Sequence, residues 1–167
     1  MKNGRFILVY LILVLVQILL CNFFGLSRYF LISTLPVLIV MLPLGTGSIT
    51  AMLIAFATGF AVDFFSNGML GITSLALVPV AFSRRFFISL IFGDEQASRD
   101  DEISFSRFGL PKIALAVLLA CALFFALFIW VDSAGTVGFW PAALRFLLSV
   151  LVSTPLCVFV ARLLRPE

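Results

Sequence analysis

The chain has 167 residues, of which 63% are hydrophobic and only 11% are charged, with a net charge of +3. Soluble domains carry about 45–50% apolar and about 25% charged residues, so this chain has too little polar surface to cover a water-soluble fold. The composition predicts an integral membrane protein. It also excludes a nucleic-acid-binding protein, because the few basic residues lie at the ends of apolar segments and form no patch.

Six apolar segments follow one another along the chain, and a helix needs roughly 20 apolar residues to cross the hydrocarbon core. The first is long and no small-residue cleavage site follows it, so we interpret it as an uncleaved span and not as a signal peptide. The predicted fold is a single all-α membrane domain with spans at residues 6–24, 30–44, 49–65, 69–87, 113–131 and 141–161. A polar loop, residues 93–112, joins the fourth span to the fifth.

The second segment is the shortest, with fifteen residues and two prolines, Pro36 and Pro43. The distribution of basic residues indicates whether it crosses the membrane, because cytoplasmic loops collect Lys and Arg. Six crossings place nine of the eleven basic residues on one side, including Arg84 and Arg85 at the end of the fourth span. Five crossings would move these two arginines outside. The sequence therefore predicts six transmembrane helices with both termini in the cytoplasm.

The chain contains no histidine, and its three cysteines, Cys21, Cys121 and Cys157, lie far apart within apolar runs. Histidine-based acid–base catalysis and histidine-ligated metal sites therefore have no residues to use. Seven of the eight acids fall in loops or at the terminus, which leaves Asp63 as the one carboxylate at membrane depth. We predict a protein that is not an enzyme and has no cofactor, in which the cysteines are small apolar fillers.

Asp63 lies close to the outer end of the third span. An ionised side chain at the centre of a membrane helix costs roughly 2.5–3.5 kcal/mol, so an acid at this depth needs a partner or a function. One interpretation is a helix-ending acid linked to the Ser66-Asn67-Gly68 turn. The other is an ion pair with Arg145, which enters the membrane from the same side, with Arg28 as a second candidate partner. We predict the Asp63–Arg145 pair, with a role in packing and not in proton chemistry.

Small residues continue the face of the third span that carries this acid. Ala55, Gly59 and Asp63 are spaced four apart and share one face of the helix. Stripes of small residues let membrane helices approach closely, because lipid supplies no hydrophobic drive for their association. Gly68 and Gly71 then suit a sharp reversal into the fourth span. The sequence predicts a tightly packed helical hairpin with a charge near its tip.

This hairpin resembles the signature region of the MreD family of rod shape-determining membrane proteins. The residues that carry the resemblance are Gly59, Asp63 and Leu70-Gly71 after the turn, together with Pro36 early in a short second span. Ala55 stands where many family members have glycine, and it keeps the position small. The specific stretch is residues 36–71, about a fifth of the chain, and elsewhere the size, the layout of the spans and the charged cytoplasmic loop are similar.

The resemblance implies a non-enzymatic scaffold of the cell-elongation machinery, the elongasome, in the bacterial inner membrane. Family members bind MreC and help to couple MreB filaments to lateral peptidoglycan synthesis by RodA and its transpeptidase, which maintains cell shape. The family also resembles the substrate-binding membrane subunits of energy-coupling-factor vitamin transporters, which implies their fold and gives the alternative function. The bulky first span and the short outer loops favour the scaffold. A transporter with Asp63 as a proton relay would need a chain of ionisable groups.

The polar loop offers a contact surface for cytoplasmic partners. Ser98 and Asp101 have the spacing of a capping box, with Asp in place of Glu, so a short helix is expected near Asp100. Phe105 and Phe108 add apolar groups that suit either a protein partner or the bilayer surface. A protein contact and a solvated loop that rests on the membrane both fit these residues.

Overall fold

The computed structural model describes residues 2–24, 32–43, 46–66, 70–92, 110–133 and 138–164, and each regular element in these ranges is an α-helix. The predicted all-helical class is confirmed. In chain order the helices are α1 (Lys2–Phe24), α2 (Leu35–Val40), α3 (Ser48–Phe65), α4 (Ile72–Phe92), α5 (Leu110–Asp132) and α6 (Phe139–Leu164).

Four of the described helices, α3 to α6, are long and apolar enough to cross a membrane, which supports a multi-pass membrane protein. The apolar stretch of α1 in the same described ranges, Ile7–Asn22, is shorter. Large apolar side chains on the outside of the bundle, such as Leu11, Leu53 and Phe86, are more than half exposed, as contact with lipid requires.

The predicted boundaries of the helices on either side of the polar loop move. Helix α4 begins at Ile72, three residues after the predicted start, and continues to Phe92, five residues beyond residue 87. Helix α5 begins at Leu110, so Lys112 lies in a helix and not in the predicted loop, while the rest of that loop lies outside the described residues. The paired arginines do not end α4, because one of them turns into the protein, as described below.

In the described part of the second predicted span, residues 32–43, the helix α2 has only six residues and does not extend over the predicted segment at residues 30–44. Six residues rise about 9 Å, far less than the hydrocarbon thickness. The two prolines explain the limits: Pro36 stands in the first turn, where its missing N–H is not needed, and Pro43 disfavours helix at the residue before it. All six side chains of α2 are buried. This element is therefore a short helix inside the bundle.

The orientation of α1 relative to α3 determines the path of the chain around α2. The hydroxyl groups of Tyr10 and Thr58 are 2.8 Å apart, and the Asn22 side-chain amide donates to the carbonyl of Phe65 at 3.2 Å. The contacts advance along both helices in the same direction, so α1 and α3 run parallel. The chain between them must return from one end of the bundle to the other, and α2 lies on this return path.

Helix α2 lies at the centre of the helical packing. It contacts all five other helices, principally α4 and α5, while the outer helices pack in sequence, with α3 against α4, α4 against α5 and α5 against α6. The side chains of Val37, Leu38 and Ile39 have no exposed surface. A broken backbone at this depth is tolerated only where it is buried in protein and its polar groups find partners.

Gln17 of α1 supplies partners before the start of α2. Its side-chain oxygen accepts hydrogen bonds from the backbone N–H and from the hydroxyl of Thr34, both at 2.8 Å. Its amide nitrogen donates to the carbonyl of Ile32 at 3.1 Å. One buried amide therefore satisfies both a donor and an acceptor of the non-helical segment that enters the helix.

Arg84 of α4 supplies partners at the other end of α2. Its guanidinium donates to the carbonyls of Val40 at 3.3 Å and Pro43 at 3.0 Å, and also to the carbonyl of Leu42. The side chain is only 3% exposed. Arg84 was counted from the sequence among the charges at the cytoplasmic end of the fourth span, whereas the structure places it within α4, with a buried guanidinium that caps the end of α2.

Replacing Arg84 with methionine is expected to destabilise the bundle, because the carbonyls at the end of α2 would lose charged donors in a buried site. A hydrogen bond to a charged group is worth about 1.5–3 kcal/mol, so R84M should lower the free energy of unfolding by at least that amount. Thermal unfolding in detergent measures the effect. The matched control is R85M, since the neighbouring Arg85 is exposed. Equal losses for the two variants would contradict the capping role of Arg84.

Candidate functional site: the hairpin of α3 and α4

The hairpin of α3 and α4 brings together most of the residues that the sequence singled out. The structure places Ala55, Gly59 and Asp63 on the buried side of α3. A Cβ atom added to Gly59 would lie 2.6 Å from the Cα atom and 2.7 Å from the backbone nitrogen of Ser74 in α4. These distances are too short for any side chain, so the two backbones cross at a point that only glycine permits.

A hydrogen bond between the helices reinforces this crossing. The Ser74 hydroxyl donates to the carbonyl of Phe56, one turn before Gly59, at 3.2 Å. Serine and threonine side chains commonly form such bonds between membrane helices, where small residues allow the backbones to approach. Ser74 was not identified from the sequence. It lies fifteen positions from its glycine partner, and a single serine in an apolar segment gives no signal of its own.

Asp63 holds the beginning of α4. Its Oδ2 atom accepts hydrogen bonds from the backbone N–H groups of Gly71 at 2.9 Å and of Thr73 at 3.0 Å. These groups belong to the N-terminus of a helix, which leaves its first N–H groups without internal partners and favours a negative charge. The carboxylate is only 5% exposed. An acid near the end of one helix therefore acts as the N-terminal cap of the next.

Gly71 gives the turn the conformation that this cap requires. Its φ angle is +97°, in the region that L-amino-acid side chains rarely adopt. Helix α4 follows at once, and neither Gly71 nor Leu70 before it has a side-chain acceptor to cap its first turn. That missing local cap is a signal in the sequence that an acceptor from elsewhere must approach this helix.

The predicted ion pair between Asp63 and Arg145 was wrong. Arg145 instead donates to the carboxylate of Asp132 at 2.6 Å, and no ion pair joins it to Asp63 within the part of the chain that the structure describes. Asp132 is the last residue of α5 and Arg145 lies near the start of α6, so the short connection between these helices brings them together. The Asp63 carboxylate instead accepts hydrogen bonds from backbone N–H groups at the start of α4. The alternative interpretation, a helix-ending acid linked to the turn, describes it better.

Several predicted residues lie away from this arrangement. Pro36 is buried in α2, and Leu70 is exposed at the tip of the hairpin. The remaining ones, Gly68, Asp100, Asp101, Phe105 and Phe108, lie outside the described residues, as does Arg28, the second candidate partner of Asp63.

An open groove follows the outer side of the hairpin. It has a volume of about 550 Å³ and is lined by Phe56, Phe60, Leu70, Gly71, Ser74, Leu75, Val78 and Pro79. The rings of Phe56 and Phe60 stack with centroids 6.2 Å apart along one wall. Its lining is apolar except for Ser74, whose hydroxyl already bonds to Phe56. The groove is therefore suited to apolar contacts and not to acid–base chemistry.

The site offers shape and packing and has no evident reactive centre. Among the described residues, no three His, Cys, Asp or Glu side chains lie close enough together to hold a metal ion. No protein-family model, curated protein or solved structure matches this chain. What the hairpin does must therefore be inferred from its own residues.

Removing the Asp63 carboxylate is expected to leave two buried N–H groups of α4 without an acceptor. Each such loss costs about 1–3 kcal/mol, so D63A should lower the free energy of unfolding more than D63N, which keeps an acceptor oxygen. A double-mutant cycle of D63A with R145A should give a coupling energy below about 0.5 kcal/mol, because the two side chains do not interact. A larger coupling would restore the ion pair. Unfolding in detergent provides both measurements.

Adding one methyl group to Gly59 is expected to separate α3 from α4. The new Cβ would overlap the Ser74 backbone, which cannot rotate away, and overpacking of this kind costs about 1–3 kcal/mol. The control is G47A, because a Cβ on Gly47 would find only the Thr50 hydroxyl, at 3.9 Å. A cysteine pair across the hairpin, cross-linked in membranes, reports the separation. An unchanged cross-linking yield in G59A would show that the helices do not cross as tightly as described.

Proposed function

We propose that this chain is a non-enzymatic scaffold of the bacterial cell-elongation complex, with the role that its resemblance to MreD implies. The observation that carries the proposal is the use of Gly59, Asp63 and Gly71, the residues of the resemblance, for close packing and helix capping. A scaffold needs a membrane structure of fixed shape. In this hairpin the chemically distinctive residues hold the shape.

The bonding of Asp63 also favours a scaffold over a proton-coupled transporter. A proton relay needs a carboxylate that changes partners as it titrates. The Oδ2 atom of Asp63 instead accepts two backbone hydrogen bonds, from Gly71 and Thr73 at the start of α4. A group held in this way supports the ordering of a helix and not the transfer of protons.

We propose a topology of six crossings with both termini in the cytoplasm. The parallel orientation of α1 and α3 supports a return crossing between them, made by α2 and the non-helical residues on either side of it and not by one continuous helix. Without the buried Arg84, eight of the ten remaining basic residues still fall on the cytoplasmic side. With an even number of crossings of the bacterial inner membrane, both termini of the protein lie in the cytoplasm.

The proposed partners are an MreC-like protein within the membrane and, directly or through it, MreB, RodA and the transpeptidase. The cytoplasmic segment with Asp100, Asp101, Phe105 and Phe108 is proposed as the contact for partners on that side. The energy-coupling-factor alternative would require a coupling subunit with its ATPases and a vitamin as ligand. The two functions therefore differ in what the purified protein carries with it.

Purification of the tagged chain from membranes of its own host tests the proposal. We expect mass spectrometry to identify an MreC-like protein with a coiled-coil periplasmic part, and depletion of the chain to turn rods into spheres. G59L, which would force the hairpin apart, should lose both the partner and the rod shape, while the G47A control keeps both. Recovery of ATPase subunits with normal cell shape after depletion would refute the scaffold and favour the vitamin transporter.

A further inference from the structure

Two cysteines from different helices meet in the core of the bundle. Cys121 of α5 and Cys157 of α6 are both fully buried, and their Sγ atoms are 3.7 Å apart. The Cys157 thiol also contacts the carbonyl of Ser33, in the segment that leads into α2, at 3.4 Å. The third cysteine, Cys21 of α1, is half-buried and contacts Gln17.

The packing of α5 against α6 holds these thiols in register. The Asp132–Arg145 ion pair joins the helices at their connected ends. From there, Cys121 lies eleven residues back along α5 and Cys157 lies twelve residues on along α6. Because the two helices are antiparallel and these distances along them are nearly equal, the ion pair and the cysteine contact are consistent with the same alignment of α5 and α6. The two contacts lie about 17 Å apart along the helix axis.

We propose that Cys121 and Cys157 are a redox modification site, a thiol pair that forms a disulfide between α5 and α6. A disulfide needs an S–S separation of about 2.05 Å, so the sulfur atoms must approach by roughly 1.7 Å, within reach of side-chain rotation and small helix shifts. The product suits its surroundings. A disulfide is uncharged, whereas two thiolates on a monovalent soft metal ion such as Cu⁺ would place a net negative charge in a low-dielectric interior.

The step requires a lipid-soluble oxidant that accepts two electrons. In the experiment this oxidant is the azo compound diamide. The sulfur of one thiol adds to one nitrogen of the azo group, and its proton goes to the other nitrogen. The second thiol then attacks that sulfur, so the S–S bond forms as the S–N bond breaks. Its proton goes to the departing nitrogen. The two cysteines lose two electrons and two protons, and the azo compound is reduced to the hydrazine.

Formation of the disulfide would change the support of α2. The Ser33 carbonyl would lose the S–H group of Cys157, while the Ser33 N–H would keep the hydroxyl of Ser153 on the same helix at 3.4 Å. The covalent link would add to the packing and to the Asp132–Arg145 ion pair that already hold α5 against α6. Oxidation would therefore stiffen α5 against α6 close to the broken span.

Thiol counting on the full-length protein in lipid nanodiscs tests the proposal. The protein is treated with diamide, denatured and labelled with a maleimide, and the number of labels is read from the mass of the intact protein by mass spectrometry. Untreated protein should take three labels, one for each cysteine. Treated protein should take one label, carried by Cys21, and reduction before labelling should restore three. The C21A variant should fall from two labels to none.

Single substitutions identify the pair. C121A and C157A should each take two labels with or without diamide, and peptide mapping of the treated wild type should recover a cross-linked peptide that contains Cys121 and Cys157. Three labels on the treated wild type, a link that involves Cys21, or a disulfide between two copies of the chain would each overturn the proposal. The mapped cross-link does not depend on the stability of either variant.

Discussion

The structure depends on one requirement, that the backbone of a broken span be satisfied inside the membrane. Helix α2 is six residues long, and the polar groups at its ends have no water to bond. Gln17 serves the segment before the helix and Arg84 serves the carbonyls after it, each from a different surrounding helix. The short central helix thus fixes the positions of α1 and α4, because neither can shift without uncovering a buried donor or acceptor.

The hairpin of α3 and α4 follows the same rule with an acid in place of an arginine. The turn leaves the first N–H groups of α4 without partners, and Asp63 brings a carboxylate to them from the preceding helix. The close crossing at Gly59 brings the Asp63 carboxylate within hydrogen-bonding distance of these N–H groups. Arg84 at the carbonyl end of one helix and Asp63 at the amide end of another both follow the polarity of the helix dipole. Neither buried charge needs an ionic partner to explain its position.

The sequence predicted the elements that the bilayer controls but not the partners of the buried polar groups. Four long spans could be located because hydrocarbon thickness sets their length and lipid sets their composition. The two prolines explain the limits of α2 in the structure, but the sequence prediction was a span over residues 30–44 that included both of them. Arg84 and Arg85 are identical neighbours, so only the packing of α4 distinguishes the buried one. Asp63 was expected to pair with a charge because charges are visible in a sequence, whereas the missing cap at Gly71 becomes a signal only once α4 is known to begin at Ile72.

The polar side chains at membrane depth are used for architecture. Gln17, Asp63, Ser74 and Arg84 each bond to backbone groups of another segment, and each bond joins parts of the chain that lipid alone would not bring together. Such bonds favour one arrangement of the helices over others. Recognition by shape, as the proposed scaffold would use it, requires no reacting group. This property connects the chemistry of the hairpin to the proposed scaffold, since an assembly in the membrane needs one member whose geometry does not change.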